Sequence, residues 1–216
     1  QCCACRKDMN GMNVLVTAGP TQEPIDPARY ITNHSSGTMG YAVARACMLR
    51  GADVTLVSGK TFLNPPISTA VVPVITSKDM YEAVTSLSQD MDIIIKAAAV
   101  ADYRPAKISN EKIKKSDAGL SIPLEPTDDI LQYLGAHKKA GQFLCGFSME
   151  TENMLENSKK KLLKKNLDMI VANNLKIQGA GFETNANIVA IITPDNLIEL
   201  PIREKDEVAF HILEMM

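Results

Sequence analysis

The feature that most constrains the fold is a short β-rich run ending in glycine, followed by a small-residue loop and an amphipathic helix. The run NVLVTAG occupies residues 13–19, and the later segment begins at Ile31 and ends at Gly51. In that segment the apolar residues that share one face of a helix are Met39, Ala42, Val43, Ala46 and Cys47. A strand, a loop and a helix that starts with small residues are typical of the first half of a nucleotide-binding α/β unit.

The loop ahead of this helix combines polar and small residues, which are Asn33, His34, Ser35, Ser36, Gly37 and Gly40. At a helix N-terminus the backbone N–H groups and the helix dipole favour an anion. The loop is not a GxGxxG turn, so it is equally compatible with a tight packing joint between strand and helix. Asn33 favours binding, because a carboxamide offers both a donor and an acceptor. His34 has no identifiable carboxylate partner and is interpreted as a structural hydrogen-bonding residue.

The rest of the chain alternates between strand-like and helix-like segments. The predicted strands cover residues 53–59, 69–76, 92–98, 120–124, 142–148 and 167–174, followed by a hairpin over 187–193 and 196–200. The predicted helices cover residues 77–88, 128–137, 151–165 and 203–216. We expect caps at Thr76 or Ser77 and at Thr127, an edge position for the strand with Pro73, and a stiff proline-rich loop after Gly19.

This alternation predicts an α/β fold with a Rossmann-like, doubly wound, mostly parallel sheet. Ligands of such sheets bind beyond the carboxyl ends of the strands, where Gly19, Gly59 and the segment 97–103 would meet. Asp102 follows the buried strand at this edge. It would face a ligand there, although an aspartate that starts a loop often caps its own backbone.

A polar, lysine-rich segment over residues 104–119 lacks helical or strand periodicity and is longer than an ordinary connection. Such segments are usually lids or disordered, so we expect a flexible flap. Its lysines at 112, 114 and 115 would neutralise phosphates or form a solvated charge run. Lys161 and Lys165 are i, i+4 neighbours on a predicted helix, where they would reach one polyphosphate or simply form its polar face.

Composition narrows the class of protein. The chain has 216 residues, 45% of them hydrophobic, which is enough for one α/β domain. The net charge of −2 gives no global attraction to nucleic acid. No apolar run is long enough to span a membrane and no signal peptide is visible, so we expect a cytoplasmic protein without a membrane partner.

Cysteine usage and the N-terminus complete the domain prediction. Cys47 and Cys145 lie in apolar surroundings and are expected to be reduced core residues. Cys2, Cys3 and Cys5 have no histidine nearby in sequence for a zinc site, and their origin is unassigned. We therefore interpret residues 1–11 as a linker or a remnant of cloning, and residues 12–216 as one domain.

No Ser/His/Asp set, Cys/His set or metal-ligand cluster is recognisable in the sequence. The available groups are cations, amides and small residues, which suit the positioning and charge stabilisation of phosphoryl or nucleotidyl transfer. An NAD(P)-dependent reductase is the alternative, although a GxGxxG turn and an acidic residue after the second strand are both missing. A non-catalytic nucleotide sensor is a second alternative.

Several strings, in order along the chain, resemble the phosphopantothenoylcysteine synthetase (phosphopantothenate–cysteine ligase) family of coenzyme A biosynthesis. They are VTAGPTQEPIDPARYITNHSSGTMGYAVA, GADVTLVSG, AAAVADYRP, EKIKK, DIL, GFSMET, KKNLDMIVANN and GFETNAN. The resemblance implies that a nucleoside triphosphate with Mg²⁺, CTP in bacterial members, reacts with 4′-phosphopantothenate to give an acyl-nucleotidylate and pyrophosphate. The amine of L-cysteine then displaces the nucleoside monophosphate and forms the amide.

The resemblance also implies roles for individual residues. Asn33 matches the asparagine that holds the acyl-nucleotidylate, and Lys112 matches the flap lysine that acts in the second half-reaction. The positions that match nucleotide contacts are Ala97, Ala98, Asp102, Lys112, Asp129, Ile130, Phe147, Lys161 and Lys165. Arg29 matches a residue that helps to bind the phosphate of phosphopantothenate, and no residue matches a metal ligand.

The wider context is likewise implied by resemblance. Family members are homodimers, and in many bacteria this unit is the C-terminal domain of a bifunctional protein whose N-terminal half is a flavin-dependent decarboxylase. The chain departs from many members at Asp128, where they have proline, which adds a negative charge near the expected triphosphate. Its chemistry alone does not settle the choice between CTP and ATP, the metal ligands or the dimer contacts.

Overall fold

The computed structural model describes residues 6–115, 119–150, 153–174 and 186–216. The central strands are β1 (Asn13–Ala18), β4 (Asp53–Ser58), β5 (Ala70–Pro73), β6 (Ile93–Lys96), β9 (Phe143–Glu150), β10 (Met169–Asn174), β11 (Ala186–Ile192) and β12 (Leu197–Glu204). Two separate hairpins are formed by β2 (Gln22–Asp26) with β3 (Arg29–Thr32), and by β7 (Tyr103–Pro105) with β8 (Leu124–Pro126). The helices are α1 (Thr38–Leu49), α2 (Ser77–Leu87), α3 (Ile130–Ala136), α4 (Met154–Lys164) and α5 (Lys205–Glu214).

The eight central strands form one sheet in the order β12-β11-β10-β9-β6-β1-β4-β5. Strands β5, β4, β1, β6, β9 and β10 are parallel, and β11 and β12 continue the sheet in antiparallel pairs. The parallel part has the doubly wound order in which the chain runs outward from β1 and then crosses back to β6. The predicted fold class is therefore confirmed.

Helices cover both faces of the sheet. Helices α1 and α5 pack together on one face, and α2, α3 and α4 lie on the other. Because successive strand residues point to opposite faces, Ile95 belongs to the core under α1 and α5, whereas Ile94 belongs to the core under α2–α4. Lys96 therefore points to the same face as Ile94. At the carboxyl end of β6 the two faces of the sheet therefore carry different side chains.

Several local predictions are confirmed. Pro73 lies in β5, which is an edge strand where its missing N–H breaks no ladder between two neighbours. Thr76 caps α2, accepting from the backbone N–H of Asp79, whose carboxylate accepts from Thr76 in return. Cys47 and Cys145 are buried and unpaired. Burial raises the pKa of Cys47 to about 12, so its thiol is inert near neutral pH.

Three predictions are wrong in detail. The stiff loop after Gly19 contains the β2–β3 hairpin, which accepts its prolines because it lies outside the central sheet. The segment expected as a strand over 120–124 pairs only from Leu124, with β7 rather than with the main sheet. Thr127 does not cap α3, because its hydroxyl donates to the Ala101 carbonyl at 2.6 Å, and Asp129 caps the helix instead.

The N-terminal segment packs on the end of α1 as far as the structure describes it. The ammonium of Lys7 donates to the Leu49 carbonyl, and Asp8 accepts from the Arg50 guanidinium. Met9 is 5% exposed and belongs to the core. Residues 7–9 thus pack against the domain, although the predicted boundary at residue 12 places them outside it. The three N-terminal cysteines lie outside the described residues.

Within the described ranges, no helix combines the length and the apolar composition that crossing a bilayer requires.

Candidate active site

The loops that follow β1 and β6 are joined by hydrogen bonds at the point where the strand order reverses. The N–H of Ala98 donates to the Thr17 hydroxyl at 3.1 Å, and the N–H of Ala99 donates to the Gly19 carbonyl at 3.0 Å. The N–H of Thr21 donates back to the Ala99 carbonyl at 3.2 Å. These bonds fix a crevice floor of backbone and methyl groups, at the place where open α/β sheets bind ligands.

The N-terminus of α1 lies against this floor with no side-chain cap. Gly37 occupies the cap position with φ of 80°, and the first turn has no acidic residue. A side chain at Gly40 would place its Cβ 2.6 Å from the Cβ of Ala18, so only glycine allows this approach. The alternative of a tight packing joint is therefore confirmed. The same joint brings the positive end of the helix dipole to the crevice.

A cleft opens between α1, β6, β9 and α5. Its lining residues are Ser35, Ser36, Gly37, Thr38, Met39, Gly40, Ala97, Ala98, Ala99, Phe147, Ser148, Met149, Asn173, Val189 and Lys205. The cleft is about 110 Å³. Pockets that enclose a drug-sized ligand are roughly 300–1,000 Å³. The cleft would therefore hold one part of a nucleotide-sized ligand.

The polar residues of the cleft that were not predicted as site residues include Asn173 and Lys205. Asn173 is 8% exposed, and its Oδ1 accepts no hydrogen bond from the part of the chain that the structure describes. Lys205 is 6% exposed at the first position of α5. The sequence signal for Asn173 was an asparagine at the end of a buried parallel strand. The sequence signal for Lys205 was a lysine at a helix start, where a positive charge is unfavourable.

A second group of charges surrounds Lys96 on the other face of the sheet edge. Burial, followed by the charge of Lys161, lowers the pKa of Lys96 to about 8, and Lys165 acts in the same direction. Asp129 is ion-paired with Lys165. Burial opposes ionisation of Asp129, but hydrogen bonds from Lys165 and from the Gln132 N–H lower its pKa. The signal for Lys96 was a lysine that ends an otherwise apolar strand.

The structure thus divides the predicted nucleotide contacts into two groups. Ala97, Ala98 and Phe147 line the cleft, whereas Asp129, Lys161 and Lys165 belong to the group around Lys96. The side chain of Ile130 is buried in the core under α2–α4, so only its backbone is available to a ligand.

Asn33 and Asp102 lie near the crevice. The Asn33 amide donates to the Ala99 carbonyl at 3.2 Å, which holds it beside the crevice floor. Asp102 is exposed, and no donor from the described part of the chain bonds to its carboxylate. Its negative charge favours the protonated form of Lys96. The alternative of a self-capping aspartate is not observed.

Lys112 and Arg29 lie apart from the cleft, on the segment 107–115 and on the β2–β3 hairpin. Asp26 connects the two, since its carboxylate accepts from the Arg29 guanidinium and from the Ile113 N–H at 3.1 Å. Arg29 also donates to the Ile113 carbonyl at 2.8 Å. Lys112 precedes Ile113 and is exposed. This Asp26–Arg29–Ile113 link fixes where the predicted flap leaves the hairpin.

The end of β4 bears on the alternative of an NAD(P)-dependent reductase. Dinucleotide-binding folds place an acidic residue after the second strand of the parallel sheet, which is β4 here. Strand β4 ends at Ser58, whose hydroxyl lies 3.1 Å from the Tyr41 hydroxyl.

Over the described ranges no group of three or more His, Cys, Asp or Glu residues is arranged to hold a metal ion.

Comparisons with known proteins agree on one family. The model of the DNA/pantothenate metabolism flavoprotein C-terminal domain matches residues 9–216. The coenzyme A biosynthesis bifunctional protein CoaBC of Bacillus subtilis (strain 168) is 48% identical over 208 residues, which are 95% of this chain and 51% of that protein. The chain therefore spans about half the length of the curated relatives it matches.

Among the solved structures similar to this one, the C-terminal domain of a coenzyme A biosynthesis bifunctional protein CoaBC is 46% identical, with a TM-score of 0.82 over 96% of this chain and 94% of that chain. A Cab2 mutant in complex with phosphopantothenate-cysteine is 17% identical, with a TM-score of 0.77 over 94% of this chain and 86% of that chain. At that identity the second likeness shows a shared fold.

Proposed function

The chain belongs to the DNA/pantothenate metabolism flavoprotein C-terminal domain family, and from this premise we propose that it is a phosphopantothenate–cysteine ligase of coenzyme A biosynthesis. In the proposed reaction the carboxylate of 4′-phosphopantothenate attacks the α-phosphorus of CTP and releases pyrophosphate. The amine of L-cysteine then attacks the acyl-cytidylate, loses a proton and displaces CMP. The bound ligand named for the Cab2 complex is the product that this reaction would give.

The observation that carries the proposal is the crevice at the carboxyl ends of β1 and β6. An uncapped helix N-terminus and Lys205 lie on one side of it, and Lys96, Lys161 and Lys165 lie on the other. Helix N-termini and lysines are suited to phosphate groups. No nucleophilic side chain is needed, because the attacking groups belong to the substrates. Catalysis then depends on positioning and on stabilising negative charge.

Asn33 is proposed to hold the acyl-cytidylate beside the crevice floor, where its amide is already anchored to Ala99. Lys112 would act from the flap in the second step, and Arg29 would bind the phosphate of phosphopantothenate. In this structure Arg29 is bonded to Asp26. Excluding water from the crevice would protect the mixed anhydride from hydrolysis.

The cofactor and partners follow from the same proposal. Mg²⁺ usually binds through one or two carboxylates together with substrate phosphates. The described residues contain no three-ligand cage, so we place Mg²⁺ on the CTP phosphates. We also propose a homodimer, a flavin-dependent decarboxylase domain in the longer protein and a cytoplasmic location. The unpaired core cysteines support that location.

The deciding experiment supplies phosphopantothenate and cysteine with CTP or with ATP. We expect pyrophosphate and phosphopantothenoylcysteine to form with CTP, and more slowly with ATP. Nucleotide binding without pyrophosphate release would instead identify a sensor. Turnover of a nicotinamide cofactor, followed by the absorbance of its reduced form, would identify a reductase.

Nucleotide binding is expected to take up protons at pH 8 through Lys96. With a pKa of about 8, this lysine is half-neutral in the free protein. A bound polyphosphate favours the ammonium form and raises the pKa, so binding should take up about half a proton. Calorimetry of CTP binding in buffers of different ionisation enthalpy measures this uptake.

Lys96→Met should abolish the uptake, while Lys78→Met on the exposed surface of α2 should retain it. Equal uptake in wild type and Lys96→Met would show that Lys96 does not contact the charged part of the nucleotide.

A further inference from the structure

Lys205 is a mostly buried residue whose ammonium is bonded to no anion of the described residues. It is 6% exposed, lines the cleft and begins α5. Across the residues that the structure describes, its ammonium forms no hydrogen bond and no ion pair. Burial lowers its pKa, and no charge of the described residues offsets this. Within the described part of the chain, the charge of Lys205 is therefore uncompensated.

The position is unfavourable for two independent reasons. Removing an ammonium from water costs free energy unless an anion or hydrogen bonds replace the water. A positive charge at the first position of a helix is also repelled by the helix dipole. The nearby Asp206 does not relieve it, because its carboxylate is turned to Arg45 at 3.4 Å. A bound anion would remove both costs.

Two other features of the same cleft favour a ligand with a negative charge and a hydrogen-bond donor. The N-terminus of α1 has no acidic residue in its first turn, and the acceptor for the Thr38 N–H is the neutral hydroxyl of Ser36 at 3.4 Å. Asn173, which is 8% exposed, presents an Oδ1 that receives no hydrogen bond from the described residues. A ligand that satisfies all three carries an anionic group together with an N–H or O–H donor.

We propose that Lys205 binds a phosphoryl group of a substrate in this cleft, together with the N-terminus of α1, and that Asn173 accepts a hydrogen bond from the same ligand. The inference rests on the proposed function, which supplies two substrates with phosphoryl groups and with suitable donors. CTP offers a triphosphate with hydroxyl and amino donors. Phosphopantothenate offers one phosphate with hydroxyl and amide donors.

The test compares Lys205→Met with the matched control Lys78→Met, in which an exposed lysine is removed from α2. Dissociation constants are measured by calorimetry for CTP, phosphopantothenate and pantothenate. A charge-assisted hydrogen bond in a buried site corresponds to about tenfold or more in affinity. We expect Lys205→Met to lose that factor for one substrate, and Lys205→Arg, which keeps the charge, to retain most of it.

The three dissociation constants identify which substrate supplies the phosphoryl group. A loss confined to CTP assigns it to the nucleotide. A loss confined to phosphopantothenate, with pantothenate unaffected, assigns it to the second substrate. If wild type binds both substrates and Lys205→Met binds them equally well, the inference is overturned while the proposed function stands. If wild type binds neither substrate, both are overturned.

Unliganded Lys205→Met should melt no lower than the control, because an apolar side chain of similar length replaces a buried charge. A clearly lower melting temperature would mean that Lys205 stabilises the fold rather than a ligand, and would overturn the inference.

Discussion

Asn33→Asp is expected to lower the rate of amide formation by about 10²- to 10³-fold, the usual effect of removing one preorganised donor from a transition state. The substitution keeps the size of the side chain but removes the N–H that donates to Ala99 at 3.2 Å. It also sets a carboxylate against the phosphate of the acyl-cytidylate. A coupled pyrophosphate assay and direct detection of the amide product measure the two half-reactions.

Asn196→Asp is the matched control, because it makes the same chemical change in the turn between β11 and β12. That turn lies at the edge of the sheet remote from the crevice, since Ile192 pairs with Ile170 near the start of β10. Its rate should stay within about twofold of wild type, because Asn196 is exposed and bonds Thr193 through backbone atoms that the substitution keeps. Turnover of Asn33→Asp at the control rate would remove Asn33 from the mechanism.

Asp26→Asn is expected to release the segment 108–113 from the β2–β3 hairpin. The Asp26 side chain is fully buried and accepts from the N–H groups of Ala28 and Arg29, the Arg29 guanidinium and the Ile113 N–H. An amide cannot reproduce this set of charge-assisted bonds. Amide hydrogen exchange in the segment should accelerate by about tenfold or more. Asp53→Asn, on an exposed position of β4, should leave it unchanged.

The same link should resist acid. The Arg29 guanidinium, helped by three backbone N–H groups, holds the pKa of Asp26 far below its ordinary value. A depressed carboxylate pKa gives stability that is complete above the unfolded-state value, about 3.9, and is lost only as the pH falls towards the folded-state value. Protection of the segment should therefore be the same at pH 7 and pH 4.5, after correction for intrinsic exchange. A loss of protection by pH 4.5 would contradict this role of Asp26.

The order of strands and helices could be read from the sequence because it depends on local periodicity. The apolar face from Met39 to Cys47 and the continuous run IIIK are visible without knowing their neighbours. The β2–β3 hairpin was missed because Pro24 was taken as evidence against a strand. That rule holds only for a strand that is paired along both of its edges. In an isolated hairpin that restriction does not apply.

The positions of Asn33 and Ala97 at the crevice were predictable because both belong to loops that follow strands, whereas the nucleotide contact of Asp129 was implied only by the family resemblance. Lys96, Asn173 and Lys205 were missed for a common reason. Their importance lies in their burial, which leaves Lys205 and Asn173 Oδ1 unpaired among the described residues and places Lys96 beside Lys161, and burial is a property of the assembled fold. The division of the predicted nucleotide contacts between the two faces was also not predicted, because it depends on the face to which the residues at the end of β6 point. Sequence spacing alone does not tell the two faces apart.

The Ala97–Ala99 backbone lies between Lys205 on one face and the lysines around Lys96 on the other, which has a consequence for inhibition. A metabolite with a single phosphate would contact the lysines of one face only. A compound with two acidic groups would contact both groups of cations only if its linker crosses the Ala97–Ala99 backbone, where the side chains are methyl groups. Its selectivity over other nucleotide-binding proteins would then depend on the length of the linker rather than on the base.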